Sequence, residues 1–401
     1  MAVLHDYQAF GGRHWETGTL HNVMAYGGIQ APHTGEPPSE ALLLGVSGGI
    51  TVGYFTFAYE GYDPQVNILT RNTFDPFDTI CQRLGIVQDV RQTASPEKGT
   101  ANLLESLAGG VPAIVWADMF TLPYNALDED ENMWQMMPVV VFGYDQEQDQ
   151  VRIADRAGVP LAVDTGTFDS ARSRVKNHKH RLVNIDPPDF GKLATAVQQG
   201  IWDCVRLYTE GPPRGSKANF GLAGLQKWAK MMTNERQKHS WANDFPPGVA
   251  MYAGLMSAFS HIQHFGKDGR AERDVYAAFL DEAASILKRP PLSEVAELFR
   301  TCGQAWHDLA VALLPDAVPA FKETRDLMST WHRLFLERGA AELDEIHRIK
   351  GRLAVLREVM QADFPLAPAE ATQMRASLAD RVLRIHDLEA KAIEALQAAM
   401  H

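Results

Sequence analysis

The sequence predicts an α+β domain followed by an all-α domain that ends in a helical hairpin. Up to about residue 188, Gly and Pro recur and the apolar runs are short, as in strands bounded by turns. After Asp186-Pro187-Pro188 the apolar residues follow helical spacing to the end. A chain of 401 residues is long enough for two domains. We therefore expect domains at residues 1–188 and 189–401.

Three strands are predicted in the first half. Residues 110–119 and 137–145 are apolar runs with turn residues at their ends, which indicates buried strands. Residues 151–156 alternate apolar and polar side chains, as a half-buried strand does. The polar segment 144–150 between the last two indicates a hairpin turn. Adjacent strands with helices before them predict an α+β arrangement.

Two helices are expected before these strands. One begins near Glu16–Thr17 and ends at Tyr26, where Gly27-Gly28 follows. The other covers roughly residues 101–107 and stops at Gly109-Gly110.

The end of the chain shows a narrow apolar seam. Ile346, Ile349, Leu353, Leu356 and Met360 are spaced by three and four residues, as in a helix packed against another helix. A break at residues 364–368 precedes a last helix, and the two helices are predicted to pair as an antiparallel hairpin. The same seam could instead pair two copies of the chain, which leaves a homodimer as an alternative.

Composition excludes several classes of function. The net charge of −12 argues against a nucleic-acid or anionic-membrane surface, because both need concentrated Lys and Arg. No apolar stretch approaches the 18 residues of a membrane span, and the start lacks the pattern of a signal peptide. The three cysteines, with no CxxC pair, fit reduced thiols. We expect a cytoplasmic protein without a metal site or cofactor.

The segment 11–28 leads a glycine-containing loop into a helix. A cysteine at such a junction would have its thiolate stabilised by the helix N-terminus. This chain has Trp15 there. Trp15 either closes a cavity or belongs to the core.

The segments 136–145 and 153–156 have the layout of a base and its orienting acid. In thiol-dependent hydrolases and transferases, a His lies on such a strand and an Asp or Asn on the next. Asp155 is present, but Met137 stands where the His would be, and it can neither take nor give a proton.

Two further segments add candidate residues. Glu40 precedes the glycine-rich turn GVSGG and could cap a helix or fix the loop above a pocket. The turn lacks the spacing of a phosphate-binding loop. Tyr124, in a proline turn, could line the cleft or serve the turn alone. His14 and His21 flank Trp15 and could contact a ligand or be locally hydrogen-bonded imidazoles.

These segments, in this order, resemble the N-terminal domain of the butirosin biosynthesis protein H family. Helical segments at 220–230 and 269–284 resemble the domain that accompanies it, so the resemblance covers roughly residues 10–315. The counterparts are HWET (14–17), SEALLLG (39–45), GYF (53–55), ADMFTLPY (117–124), MPVVVFGYD (137–145) and IADR (153–156).

The resemblance implies a papain-like, C39-peptidase-like first domain that transfers an acyl group from a carrier-protein thioester to an amine of an aminoglycoside. It assigns the nucleophile to position 15, the base to position 137 and the orienting acid to Asp155. Because Trp15 and Met137 cannot perform their roles, acyl-cysteine chemistry is unsupported here. None of the three cysteines lies near a matching position.

Three functions remain open at this stage. The chain could be a non-catalytic family member that binds a small metabolite, an acyl-type substrate or a partner such as an acyl carrier protein in specialised-metabolite biosynthesis. The ligand would then contact His14, His21, Glu40 and Tyr124. It could be a transferase with rewired, non-covalent chemistry, since holding an acyl donor beside an amine lowers much of the barrier. It could also act in assembly through its C-terminal helices.

Overall fold

The computed structural model describes residues 2–128, 130–264 and 269–401. By its internal contacts the chain divides into two compact units. The first consists of Met1–Leu43, Phe77–Leu193 and Trp331–Arg348. The second consists of Leu44–Pro76, Ala194–Thr330 and Ile349–His401. Residues 44–76 thus pack with elements from the second half, while the predicted domain boundary after residue 188 stays a prediction.

The strands fall into one large sheet and one hairpin. Within the described residues, seven strands form a sheet in the order β4-β9-β5-β6-β7-β8, with β1 also paired to β6, and every pairing is antiparallel. The other two, β2 and β3, pair with each other. The strands are Ala2–Val3 (β1), Ile50–Phe57 (β2), Gln65–Arg71 (β3), Gln88–Arg91 (β4), Ala113–Asp118 (β5), Met136–Asp145 (β6), Gln150–Ala154 (β7), Leu161–Val163 (β8) and Leu182–Ile185 (β9).

The three predicted strands are confirmed as β5, β6 and β7. Their central residues are buried because helices cover the sheet, and α1, which begins at Trp15, packs on β6. Asp145 pairs with Gln150, so the predicted polar turn joins β6 and β7. The first half of the prediction, an α+β arrangement, is therefore correct.

Helices make up most of the second half. The helices of both halves are, in chain order, Trp15–Tyr26 (α1), Glu40–Val46 (α2), Pro76–Arg83 (α3), Pro96–Ala108 (α4), Thr165–Ser173 (α5), Leu193–Thr209 (α6), Gly221–Thr233 (α7), Trp241–Asp244 (α8), Val249–His264 (α9), Arg273–Leu287 (α10), Pro291–Leu313 (α11), Pro319–Arg338 (α12), Leu343–Ala362 (α13) and Pro368–Met400 (α14). None of the helices that the structure describes is both long and apolar enough to cross a membrane.

Both predicted C-terminal helices form, while their pairing as an antiparallel hairpin stays a prediction. Most of the seam on α13 is buried, and the chain leaves the helix at residues 363–367 before α14 begins. Over its 33 residues α14 packs mainly against α7 and α11. The α+β domain followed by helices is thus confirmed.

A buried ion pair ties the β2–β3 hairpin to the helices of the second unit. The guanidinium of Arg273 lies 2.6 Å from a carboxylate oxygen of Glu389 and also donates to the carbonyl oxygens of Thr51 and Thr70, one on each strand. Trp306 donates its indole N–H to the same Glu389 oxygen at 2.7 Å. Both charged side chains are fully buried, so neither partner can be lost without leaving an uncompensated charge.

Candidate functional site

The start of α1 is fixed by close backbone contact with the loop before it. A Cβ on Gly18 would lie 2.9 Å from the Cα of Gly12, whose φ of +151° also favours glycine. The amide of Gly11 donates to the carbonyl of Ala157 at 2.9 Å, and the side-chain amide of Asn22 donates to the carbonyl of Gly11 at 2.8 Å. The first turn of α1 is therefore held beside the segment that follows β7.

Trp15, the first residue of α1, is packed against a cation. Its side chain is buried, and the guanidinium carbon of Arg156 lies 4.0 Å from the centroid of its ring. The same guanidinium lies 4.8 Å from the ring of Phe335 and donates to the Asn125 side-chain oxygen at 2.8 Å. The start of α1, where a cysteine thiolate would be stabilised, thus holds an indole in a cation–π contact.

Asp155 uses both of its oxygens within the protein. One oxygen accepts from the backbone amide of Arg156 at 2.7 Å and from its Nε at 3.3 Å, and the other accepts from the hydroxyl of Tyr124 at 3.3 Å. Burial, and then the Asp155 charge, raise the pKa of Tyr124 well above its usual value. Tyr124 therefore stays protonated and donates. We refer to Trp15, Tyr124, Asn125, Asp155, Arg156 and Phe335 as the Asp155 cluster.

Met137 lies on the strand next to Asp155. Val140 on β6 pairs with Ala154, the last residue of β7, and Asp155 follows directly. Met137 lies at the start of β6, three residues before Val140. A thioether at this position exchanges no proton.

Glu40 fixes the loop before α1, while a role above a pocket stays a prediction. Each of its carboxylate oxygens lies 3.0 Å from the backbone nitrogen of Arg13, and Oε2 also accepts from the hydroxyl of Thr17 at 2.8 Å. An acceptor already engaged by a backbone amide is a positioning group for the loop. No ligand is needed to satisfy it.

The two histidines near Trp15 also bond locally. His14 is 1 % exposed, and its Nδ1 lies 3.1 Å from the hydroxyl oxygen of Thr17. The Nδ1–H of His21 donates to the carbonyl of Pro38 at 2.8 Å, which sets its tautomer. Both contacts match the local hydrogen-bonding alternative. Whether either residue binds a ligand stays a prediction.

Three residues of the Asp155 cluster were not singled out from the sequence. Arg156 lies inside the segment 153–156, and Asn125 directly follows the segment 117–124. The sequence shows that both side chains are polar, but it does not show which residues they contact. Phe335 lies on α12, about 180 residues after Arg156, and no local sequence pattern connects it with Trp15.

The cysteines offer no alternative nucleophile. Cys81, Cys204 and Cys302 are all fully buried. Burial raises the pKa of the Cys81 and Cys204 thiols to about 12, and it also raises that of Cys302. Thiols in such surroundings stay protonated and unreactive. Among the residues that the structure describes, no three His, Cys, Asp or Glu side chains are grouped to hold a metal ion.

Comparison with known families gives two adjacent matches. Residues 14–156 match the family described as "Butirosin biosynthesis protein H, N-terminal". Residues 169–332 match a second family, described as "Domain of unknown function (DUF4872)". The first match begins at His14 and ends at Arg156, so it contains all of the Asp155 cluster except Phe335. Comparison with curated proteins gave no match.

Proposed function

The chain belongs to the butirosin biosynthesis protein H-like family, and from this premise we propose that it is a non-catalytic member. It carries the family's acyltransferase-like domain. In our proposal this domain binds a small metabolite, or a partner of the pathway such as an acyl carrier protein, and forms no acyl-cysteine. The scaffold we propose for it is papain-like, which the packing of α1 on β6 and the antiparallel β6–β7 pair support.

The observation that carries this proposal is the pairing of Asp155. In the family layout this acid would orient a base. Here its oxygens are taken by Tyr124 and Arg156, and Arg156 is packed on Trp15. In this layout the nucleophile position holds Trp15 packed on Arg156, and the base position holds Met137.

Breaking the contacts of Arg156 with its neighbours would cost several kcal/mol, so this arrangement is stable in the absence of a ligand. Displacing Arg156 from the cluster would break its contacts with both Trp15 and Asp155. Withdrawing one member of a buried ion pair costs about 3–5 kcal/mol, because the other charge stays buried. A cation–π contact adds about 0.5–2 kcal/mol.

Acyl transfer from a simple acyl thioester to a primary amine tests the proposal. We expect native protein to release thiol no faster than buffer does, and its mass to show no acyl adduct. Asp155→Asn and the matched control Asp164→Asn, in which an exposed helix-capping carboxylate is replaced, should behave like the native chain.

The competing hypothesis, a transferase with rewired chemistry, gives a different result. Turnover above background that Asp155→Asn abolishes and Asp164→Asn leaves intact would overturn our proposal. A pH–rate profile with a His-like pKa would then direct attention to His14 and His21.

A further inference from the structure

The second unit contains a cleft that the family matches do not explain. It has a volume of about 690 Å³, within the range of small-molecule sites, and lies beside the outer end of β2 and the face of α7. Its lining includes Tyr54, Phe57, Tyr59, Lys227 and Lys238. We refer to it as the lysine cleft.

An exposed aromatic row forms one wall of the lysine cleft. Phe55, Phe57 and Tyr59 alternate along β2 and its continuation, with ring centroids 6.4 and 6.1 Å apart and planes within 12° of parallel. Phe57 is 38 % exposed and Tyr59 is 65 % exposed. Neighbouring large aromatic side chains left open to water mark binding surfaces more often than single exposed ones.

The opposite face of β2 is packed rigidly. Tyr54, which also lines the cleft, is buried and accepts a hydrogen bond from the indole N–H of Trp241 at 3.1 Å. Its ring also stacks on that of Trp228, with centroids 5.8 Å apart and planes 14° from parallel. Both tryptophans are fully buried, so the strand that carries the aromatic row is fixed before any ligand arrives.

The lining of the lysine cleft also carries two positive charges, those of Lys227 and Lys238. Within the described residues, neither Lys227 nor Lys238 forms an ion pair, and Lys227 donates to the neutral side-chain oxygen of Asn219 at 2.6 Å. The carboxylate in the cleft, Asp244, lies 3.4 Å from Nδ1 of His239. Two lysines without acidic partners stand out in a chain with a net charge of −12.

We propose that the lysine cleft binds a small aromatic anion, such as an aryl carboxylate. The anionic group would lie near Lys227 and Lys238, and the ring would pack on Phe57 and Tyr59. The lysines disfavour a cationic ligand, and a neutral arene would leave them without a function. A nucleic acid would meet the negative field of the whole chain. This site does not depend on the function proposed for the first unit.

Two dyes of matched shape test the charge requirement. Anilinonaphthalene sulfonate is an aromatic anion that fluoresces when bound, and phenylnaphthylamine is its uncharged analogue. We expect the anion to bind saturably and more tightly than the analogue. Raising the salt concentration should weaken the anion's binding only, because ions screen exposed charges.

Variants locate the bound dye. Lys227→Gln and Lys238→Gln should each weaken binding of the anion about two- to fivefold, the range for partly exposed charge pairs, and leave the analogue unchanged. Tyr59→Ser should weaken both dyes. The matched control is Lys230→Gln, because this exposed lysine lies on α7 with Lys227 but outside the cleft. This change should leave the binding of both dyes unaltered.

The outcomes are distinct. Weaker binding of the anion in the cleft variants and not in Lys230→Gln supports the proposal. Absence of saturable binding, or binding that the Lys227→Gln/Lys238→Gln double variant leaves unchanged, overturns it. Circular dichroism and urea denaturation of each variant confirm that the fold is intact, and no catalytic assay enters the test.

Discussion

The Asp155 cluster and the lysine cleft differ in how their charges are satisfied. In the Asp155 cluster the carboxylate and the phenol are buried, the guanidinium is nearly so, and the carboxylate accepts from both partners. In the lysine cleft Lys227 meets only a neutral amide oxygen, and Lys238 forms no ion pair within the described residues.

The difference separates a closed polar core from an open recognition surface. A buried charge must be paired inside the protein, because leaving it unpaired costs several kcal/mol. An exposed lysine is satisfied by water at little cost, so its partner can come from outside. We therefore expect changes in the Asp155 cluster to alter stability and changes in the lysine cleft to alter binding.

The largest expected effect is that of Arg156→Ala. It removes the cation from a buried pair, and we expect a loss of about 3–5 kcal/mol in the free energy of unfolding, measured with urea. Arg333→Ala is the control, since it breaks an exposed ion pair with Glu337 on one helix and should cost about 0.3–0.5 kcal/mol. Equal losses of unfolding free energy in the two variants would show that the Arg156–Asp155 pair is solvated like a surface pair.

A pH effect tests whether the first unit buries polar groups beyond the Asp155 cluster. His180 is buried, and this burial, followed by the Arg172 charge, lowers its pKa below the usual value. The unfolded chain then binds the proton more readily. The contribution of His180 to the free energy of unfolding should be fully present above about pH 6.5. It should fall as the pH drops towards the folded-state pKa, by at most about 1.4 kcal/mol per pH unit.

His180→Asn provides the comparison for that pH effect. Asparagine tolerates the positive φ of 44° at this position and does not titrate. The unfolding free energy of this variant should change less between pH 7 and pH 5 than that of the native chain. Identical pH profiles would mean that His180 is accessible to protons in the folded state.

Tyr124→Phe should have a smaller effect. It removes one hydrogen bond to Asp155 but leaves the contacts with Arg156, so we expect a loss of about 1–2 kcal/mol. The matched control is Tyr26→Phe, because Tyr26 donates to Asp6 at 3.2 Å in an exposed setting. That change should stay within about 0.5 kcal/mol. A similar loss of unfolding free energy in Tyr124→Phe and Tyr26→Phe would show that burial does not strengthen the Tyr124–Asp155 hydrogen bond.

The smallest effect on stability is expected for the lysine cleft. Lys227→Gln and Lys238→Gln should shift the free energy of unfolding by less than about 0.5 kcal/mol, because surface changes away from packed features do little. Urea denaturation gives the value. A large loss in either variant would mean that the lysines stabilise the fold and are not reserved for binding.

Much of the secondary structure followed from local sequence. The apolar runs of β5 and β6 and the Gly27-Gly28 stop after α1 depend on neighbouring residues, and they were predicted to within a few positions. The second predicted helix, α4, begins at Pro96, about five residues earlier than expected. Ser95 caps it by accepting from the amide of Lys98. Ser followed by Pro is a local start signal that was available in the sequence.

Other features depended on contacts between distant residues. The β2–β3 hairpin belongs to the first half of the chain, yet it packs with helices of the second half, and Arg273 bonds to both of its strands. Likewise, α14 packs mainly against α7 and α11. Periodicity shows which face of a helix is buried, but not which element covers it.

The sequence by itself determined the fold class and placed Trp15 at a loop–helix junction and Met137 on a strand. Both conclusions depend on residue chemistry and local periodicity. Only the tertiary structure decided that Arg156 pairs with Asp155 and packs on Trp15, and that two lysines lie beside an aromatic row. These arrangements join residues that are far apart in the chain, and strand register and helix packing decide which of them meet.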